Sequence, residues 1–371
     1  MAGHELAVAA AIHRLASQGD KMFDRPTVFV VGAGCSVEFG FPTGPALMGQ
    51  IDDLVLASLR GGTSFLDAYF RISADKSRYR SHLQTFSRGL HGSPSIDQYL
   101  SFNADDKEVE TIGKLAIAQI ILAQERNSKL GRKAVTHGLR EISSTWIMRL
   151  FQLMALGAPK GQLDRAFSNV SFICFNYDRC IETALHLALM HYGRLSGGEA
   201  KAMLAHLPIW HPYGSVGKPI DDASGGFSER PLDPSEVVHS AAGIRTFTEG
   251  MADTGELGKM REALHQADQI VFLGFSYGKD NMKLLGPGQD TTAKIIVANT
   301  YLLAPSASSL AREACARSLY PNRTGVGRER VFRTATSASD VVARLGPALR
   351  DGLLAWQVTQ GHLAEAHEGV G

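Results

Sequence analysis

The chain has few cysteines, and none is spaced as a structural zinc site requires. The 371 residues include four, at Cys35, Cys174, Cys180 and Cys315, with no C-x-x-C pair among them. This pattern excludes a tetrathiolate zinc site of the usual spacing. We therefore expect no bound metal, and we expect the thiols of Cys35 and Cys174 to be free and buried as small apolar side chains.

Long apolar runs and an excess of charge are missing as well. No stretch approaches the roughly 18 consecutive apolar residues of a membrane span, and the formal net charge is only +1. A nearly neutral chain is not expected to bind nucleic acid or membrane surfaces in general. The first residues, with Glu5 and a helix-like pattern, lack the features of a secretion signal. The sequence thus predicts a cytoplasmic protein.

The most informative motif lies in residues 28–44, VFVVGAGCSVEFGFPTG. Its apolar residues run into Gly32-Ala33-Gly34, which predicts a buried parallel strand, a glycine turn and a helix. Such glycines let a backbone approach a pyrophosphate, and the N-terminus of a helix offers it free N–H groups. Val37 stands where a dinucleotide fingerprint has its third glycine. This motif alone therefore fits either a dinucleotide site or an ordinary tight turn.

Further strand patterns predict the fold class. Apolar runs that alternate with helical patterns recur at four places, residues 170–175, 269–273, 294–297 and 330–333. They predict an α/β protein with a Rossmann-like, doubly wound parallel sheet. We assign residues 1–340 to this domain, with a short helix at 5–18 and a large helical insertion at about 45–165. Residues 214–258, rich in Gly, Ser, Pro and Asp, predict a long mobile loop or lid, and residues 341–371 a C-terminal helix or tail.

Polar residues follow the predicted strands, where ligands bind in an open parallel sheet. They are Cys35-Ser36 beside the first turn, Asn176-Tyr177-Asp178, Gly274-Phe275-Ser276 and Asn299. A similar apolar-to-polar transition occurs at residues 209–215, which include His211, Tyr213, Gly214 and Ser215. Because several strands end in this way, the sequence predicts a binding site at their carboxyl ends.

The ordered set of these motifs resembles the sirtuin-like NAD-binding family. The family's G-A-G-x-S-x-x-x-G-[IF]-P motif matches residues 32–42. Its N-I-D, its G-[TF]-S and its strand-terminal Asn match residues 176–178, 274–276 and Asn299, and Ser-Ile-Asp at 95–97 is similar to a segment of the bacterial, defence-associated branch. The resemblance covers roughly residues 27–300 and implies that the first loop holds NAD for cleavage and not for hydride transfer.

Three departures indicate the branch that the chain resembles. The two C-x-x-C pairs of the deacylating sirtuins are absent, and Thr43-Gly44-Pro45 stands where they carry an Asp-Phe-Arg element. Their catalytic His-Gly becomes Tyr213-Gly214, with a histidine two residues earlier. The resemblance therefore implies a zinc-free NAD glycohydrolase that produces nicotinamide and ADP-ribose and acts in abortive infection against phage.

The resemblance and side-chain chemistry together give the candidate residues their expected roles. Asn176 suits holding the ribose and the attacking water, and His211 suits a general base, with Tyr213 as the alternative occupant of the family's His position. Asp178 binds the nicotinamide carboxamide or caps the next helix, and Asp97 lines the nicotinamide pocket or caps a helix. The other expected NAD contacts are Gly32, Ala33, Gly34, Ser36, Phe41, Pro42, Thr43, Gly214, Ser215, Gly274, Ser276 and Asn299.

Two other functions stay open on the sequence alone: a module that senses NAD or ADP-ribose without turnover, and a protein deacylase. An uncontrolled NADase would kill its own cell, so we expect regulation through a homo-oligomer or a partner. The resemblance implies a co-encoded ATPase or Argonaute-like protein as that partner. NAD is expected as the substrate, and we expect neither direct nucleic-acid binding nor membrane binding.

Overall fold

A computed structural model describes residues 23–350 apart from 62–65, 67–68, 70–75, 132–137, 157, 218–226, 229, 253, 302, 304 and 323–330. The helix predicted at residues 5–18 and the part of the tail after residue 350 lie outside the described residues. The described strands are β1 (Thr27–Val31), β2 (Val170–Cys174), β3 (Ile209–Trp210), β4 (Gln269–Leu273), β5 (Ile295–Asn299) and β6 (Val331–Thr334).

These strands form one parallel sheet in the order β3-β2-β1-β4-β5-β6. Helices connect successive strands, and the strand order reverses between β1 and β4. This is the order of a doubly wound, dinucleotide-binding sheet. The predicted α/β class and the Rossmann-like parallel sheet are therefore confirmed.

The central strands are buried along their whole length. Every residue of β1, β2, β4 and β5 is buried, as expected when helices cover both faces of a parallel sheet. Phe29 on β1 stacks on Phe172 of β2 with ring centroids 5.5 Å apart, and Trp146 packs against Phe172 from the helical side. The continuous apolar runs in the sequence reflect this two-sided burial.

Among the described residues, the regular elements between β1 and β2 are helices. A 3-10 helix (Ala33–Phe39) follows β1 directly, and two others occur at Gly138–Glu141 and Lys160–Phe167. The α-helices of this stretch are α1 (Gly44–Leu59), α2 (Lys76–Leu90), α3 (Ile96–Phe102), α4 (Lys107–Asn127) and α5 (Trp146–Ala155). The residues predicted as a helical insertion, about 45–165, fall within these elements and their connections.

The remaining helices follow β2 and connect the later strands. They are α6 (Cys180–His191), α7 (Gly197–Leu204), α8 (Pro234–Ala241), α9 (Phe247–Ala252), α10 (Thr254–Gln266), α11 (Lys279–Leu285), α12 (Pro305–Leu319) and α13 (Ala338–Arg350). The boundary predicted between residues 340 and 341 falls inside α13. Helix α13 packs against α5, and Ser339 near its start donates a 2.8 Å hydrogen bond to Glu38. The described residues after 340 therefore pack with the sheet domain.

The prediction of a long mobile loop over residues 214–258 is wrong for its second half. Helices α8 and α9 and the beginning of α10 lie there. Asp233 caps α8, its carboxylate accepting from the Ser235 N–H at 2.8 Å, and Pro234 occupies the first turn. Val237 and Ile244 are buried. Helices of six to eight residues are too short to show a helical period, so the Gly and Ser content dominated the prediction.

The four cysteines are free and buried, as predicted for Cys35 and Cys174. Burial raises the pKa of each thiol above its ordinary value. Because the thiolate is the reactive form, these side chains are poor nucleophiles at neutral pH. None of the helices in the described ranges is both long enough and apolar enough to cross a membrane.

Candidate functional site

A cavity of about 680 Å³ lies at the carboxyl ends of β1, β2, β4 and β5. This is the edge of the sheet, beside the point where strand order reverses, at which ligands of doubly wound folds bind. Its volume falls within the roughly 300–1,000 Å³ of typical small-molecule sites. The turns after the strands form its floor, and residues 41–45, 94–98 and 278–281 form its walls.

Most of the predicted site residues line this cavity. They are Gly32, Ala33, Gly34, Phe41, Pro42, Thr43, Asp97, Asn176, Asp178, Tyr213, Gly274, Ser276 and Asn299. The structure does not bring Ser36, His211, Gly214 and Ser215 to the lining. Ser36 is buried, and the other three line a second cavity together with residues of α6 and β3.

The glycines after β1 are required by a backbone crossing. A Cβ on Gly32 would lie 2.5 Å from the Gly274 carbonyl oxygen, and one on Gly34 would lie 2.9 Å from the Gly274 Cα. The Gly34 N–H donates to the Gly274 carbonyl, and the Cys35 N–H donates to the Gly32 carbonyl. The glycines were expected to let the backbone approach a pyrophosphate, and in the structure they let the turn after β1 approach the turn after β4. The helix that follows is a 3-10 helix. The N–H groups of Gly34 and Cys35 at its start already donate to carbonyl groups of the protein, so they are not the free donors that the sequence predicted.

Asn176 is held in one orientation at the floor of the cavity. Its Nδ2 donates to the Gly32 carbonyl at 3.1 Å and to the Ser36 hydroxyl at 2.8 Å. A carbonyl only accepts, so the contact with Gly32 fixes which end of the amide carries the N–H groups. Asn176 Oδ1 is buried and has no hydrogen-bond partner among the described residues. The side chain therefore presents a fixed, free acceptor.

Ser36 connects the Asn176 amide to Asp178. The Ser36 hydroxyl accepts from Asn176 and hydrogen-bonds the Asp178 carboxyl. Asp178 Oδ1 also accepts from the Cys180 N–H at 3.0 Å, which caps the first turn of α6. Burial raises the pKa of Asp178, although these hydrogen bonds lower it in part. Asp178 precedes the N-cap residue, Arg179, and its carboxylate accepts the first N–H of α6 while the residue lines the cavity.

A second carboxyl, Asp97, lines the opposite wall. Ser95 is the residue that caps α3, its hydroxyl accepting from the Gln98 N–H, so Asp97 is not the cap. The Tyr177 hydroxyl donates to Asp97 Oδ1. Burial raises the pKa of Asp97, and the hydrogen bond from Tyr177 opposes that rise. The cavity is therefore lined by two carboxyls, the buried Asp178 and the half-buried Asp97, whose ionised forms cost desolvation energy.

Asn299 lines the cavity, but its amide is largely occupied within the protein. Its Oδ1 accepts from the Gly274 N–H at 3.3 Å, and its Nδ2 donates to the Thr336 carbonyl at 2.7 Å and contacts Thr334. These bonds tie the ends of β4 and β5 to the segment after β6. The expected role of Asn299 in holding the adenosine ribose has no support in this geometry, which favours a positioning role.

His211 is paired away from the cavity. Its Nδ1 lies 3.1 Å from the Asn176 carbonyl oxygen and its Nε2 lies 2.8 Å from Glu182 Oε1. Both partners are acceptors, so both ring nitrogens carry protons. Burial disfavours the charged ring, but the neighbouring Cys174 and Glu182 raise the pKa of His211 well above its ordinary value. A ring held as an imidazolium is not available as a general base, and Tyr213 is the residue of this segment that lines the cavity.

We expect Glu182→Gln to reduce stability most in mildly acidic solution. The folded state raises the pKa of His211 above 6.5. The charged ring therefore contributes fully to the free energy of unfolding below pH 6.5, and this contribution is lost as the pH rises through the raised pKa. Burial alone would raise the pKa of Glu182, but His211 lowers this pKa below 4.5. The stabilisation that the Glu182 carboxylate provides is therefore lost only in acid, as the pH falls through the lowered pKa. Between these limits the variant should lose about 3 kcal/mol, as expected for one partner removed from a buried pair.

Thermal or urea unfolding at pH 5 to 9 measures this effect. The loss should shrink as the pH rises from 6.5 toward the raised pKa of His211. Glu262→Gln is the matched control, because Glu262 is exposed and contacts Gln266 one turn later. A loss in Glu182→Gln that is independent of pH would contradict the ion pair.

Sequence reasoning missed several residues of the cavity wall. Tyr177 was noted only as the middle of a motif, although its hydroxyl holds Asp97. Asn281 accepts a 2.8 Å hydrogen bond from the Tyr213 hydroxyl and so fixes that ring. Gln98, Lys279 and Asp280 also line the cavity. The sequence did carry a signal for Lys279, Asp280 and Asn281, because these residues begin the helix that follows the Gly274 turn.

Comparison of the chain with protein-family models, with curated proteins and with solved structures finds no match. The resemblance to the sirtuin-like family thus rests on the sequence motifs alone.

Proposed function

We propose that this protein is a NAD glycohydrolase that produces nicotinamide and ADP-ribose. The observation that carries the proposal is the amide of Asn176, a residue that lines the cavity, whose N–H groups are held by the protein and whose Oδ1 is a buried acceptor without a partner among the described residues. A fixed acceptor of this kind suits a ribose hydroxyl or a water molecule. The strand order and the glycine turn favour a dinucleotide as the ligand.

The proposed reaction breaks the bond between the nicotinamide nitrogen and the ribose C1′ and forms a bond from C1′ to a water oxygen. Nicotinamide leaves as a neutral molecule, and the water gives up one proton. Asn176 Oδ1 accepts from the water and holds it near C1′. Asp178 binds the carboxamide N–H groups, and Asp97, oriented by Tyr177, receives the proton. A carboxyl whose pKa is raised by burial is a better base than an exposed one.

Incubation of the full-length protein with NAD tests the proposal directly. We expect nicotinamide and ADP-ribose in equal amounts, measured by liquid chromatography. Because regulation by assembly is part of the proposal, the assay is run over a series of protein concentrations. NAD that neither binds nor is consumed at any concentration would overturn the proposal.

A sensing module without turnover is the second candidate, and one observation favours it. Among the described residues that line the cavity there is no histidine, and His211 is held in an ion pair elsewhere. NAD binding measured by calorimetry, with no nicotinamide released, would support sensing over hydrolysis.

The wider role implied by the motifs is part of the same proposal. An enzyme that consumes NAD fits a defence effector that stops the growth of an infected cell, provided that its activity is controlled. A homo-oligomer or a co-encoded ATPase or Argonaute-like partner would provide that control. Expression of the chain with and without neighbouring genes, with cellular NAD as the readout, tests this role.

A further inference from the structure

Residues 176–179 form the turn after β2, and contacts from outside the cavity hold the main chain of this turn. His211 Nδ1 lies 3.1 Å from the carbonyl oxygen of the first residue, Asn176. The Val216 N–H donates to the carbonyl of the second residue at 2.9 Å. The N–H of the fourth residue donates to Glu125 Oε1 at 3.3 Å. The turn is therefore anchored at three of its four residues.

Two of these contacts come from side chains that ion pairs fix in place. His211 Nε2 lies 2.8 Å from Glu182 Oε1, and these side chains are only 12% and 10% exposed. Glu125, on α4, accepts from Arg179 Nε at 3.0 Å and from Arg179 Nη2, and these side chains are 2% and 17% exposed. Salt and water screen largely buried pairs much less than surface pairs. Each pair therefore holds its side chains in one geometry.

The contact with His211 completes the fixation of Asn176. The bonds of Nδ2 to Gly32 and Ser36 orient the amide, whereas the bond from His211 holds the carbonyl of the same residue. The direction of Oδ1 depends on both, because the amide is attached to that backbone. A displacement of about 1 Å at a reacting group can lower a rate about 100-fold.

We propose that His211 and Glu125 are positioning residues that hold the turn at 176–179 where Asn176 and Asp178 meet the substrate. The inference rests on the proposed hydrolysis of NAD, because it concerns the same site. Neither positioning residue lines the first cavity, so each acts through the turn. Glu125 belongs to the helical insertion, so that insertion helps to set the geometry of the site.

The rates of nicotinamide release by His211→Leu and His211→Asn test the first contact. Both variants lose the ion pair with Glu182, but asparagine keeps an N–H donor near the position of Nδ1 and leucine does not. We expect kcat to fall about 100-fold in His211→Leu and at most about tenfold in His211→Asn, with KM changed less than about threefold in both. If the unpaired Glu182 prevents folding, the two substitutions are compared in Glu182→Gln protein.

Glu125→Gln tests the second contact. Glutamine lacks the charge that holds the Arg179 guanidinium, so we expect kcat to fall about tenfold or more, with KM little changed. Glu110→Gln is the matched control, because Glu110 lies on the same helix and pairs with Lys107 and Lys114 of that helix. It should keep the wild-type rate. Urea unfolding checks that each variant is folded under the assay conditions.

Wild-type kcat in folded His211→Leu or folded Glu125→Gln, or equal kcat in the leucine and asparagine variants of His211, would overturn the proposal. Crystal structures of these two His211 variants give a readout that does not require turnover. We expect Asn176 to shift by more than about 0.5 Å relative to the Gly32 carbonyl in His211→Leu only. An unshifted Asn176 in that variant would also overturn the proposal. Wild-type protein that consumes no NAD would instead contradict the proposed function, so the two failures are distinguishable.

Discussion

Replacement of Asn176 by alanine is expected to lower the rate of nicotinamide release by about 100- to 1,000-fold, the usual effect of removing one preorganised polar group at a reacting centre. The reason is that Oδ1 is a free, buried acceptor whose direction is set by the bonds of Nδ2 to Gly32 and Ser36. Alanine removes both the acceptor oxygen and the amide N–H groups whose hydrogen bonds orient it. Initial rates over a range of NAD concentrations measure the loss in kcat and KM.

Two further variants separate this role from a structural one. Ser36→Ala removes one partner of the Asn176 amide but keeps the contact with Gly32 and the free oxygen, so we expect a smaller loss, about tenfold. Asn127→Ala is the matched control, since that amide is exposed and bonds the Ala123 carbonyl of its own helix. If folded Asn176→Ala still releases nicotinamide at the wild-type rate, the proposed role of Asn176 is contradicted.

Gly274→Ala is expected to destabilise the protein by more than about 4 kcal/mol, a loss that marks exceptional sites. Gly274 has φ +58°, and a Cβ there would lie 2.4 Å from the Cys35 amide nitrogen. The left-handed conformation alone costs a non-glycine residue about 1–2 kcal/mol. The rest of the loss comes from separating two strand-end turns whose backbones are in contact, because no flexible side chain is present to move away.

Gly288→Ala provides the matched control for this prediction. Gly288 has φ +79°, also left-handed, but an added Cβ would meet no atom within 4 Å. Its expected loss is therefore about 1–2 kcal/mol, from the conformation alone. Urea unfolding of both variants measures the difference. Equal losses would show that the contact between the Gly32 and Gly274 turns is not what requires glycine.

The sequence predicted the sheet well because its strands are buried on both faces. Residues 269–273 were predicted as a strand and form β4 without any change of boundary, and the predicted strands at 170–175 and 294–297 differ from β2 and β5 by one or two residues. A buried parallel strand is a continuous apolar run, which stands out in any sequence. The short helices of residues 234–252 carried no comparable signal, and the prediction failed there.

The position of the cavity was also determined by the sequence alone. The carboxyl ends of parallel strands meet at one edge, so the residues after β1, β2, β4 and β5 had to lie near each other. The roles of their side chains did not follow in the same way. Asn299 stands at a strand end, yet its amide is bonded to Thr336 and Gly274. His211 belongs to the same pattern, yet its ring points to Glu182.

What the sequence by itself determined is therefore the parallel sheet, the glycine turns and the sheet edge at which the cavity lies. Only the tertiary structure decided which polar atoms there are left without a partner among the described residues. Ser36 and Asn176 are 140 residues apart, and Asp97 and Tyr177 are 80 apart. Hydrogen bonds are directional and short, so whether an atom is free depends on partners that only folding brings within about 3 Å.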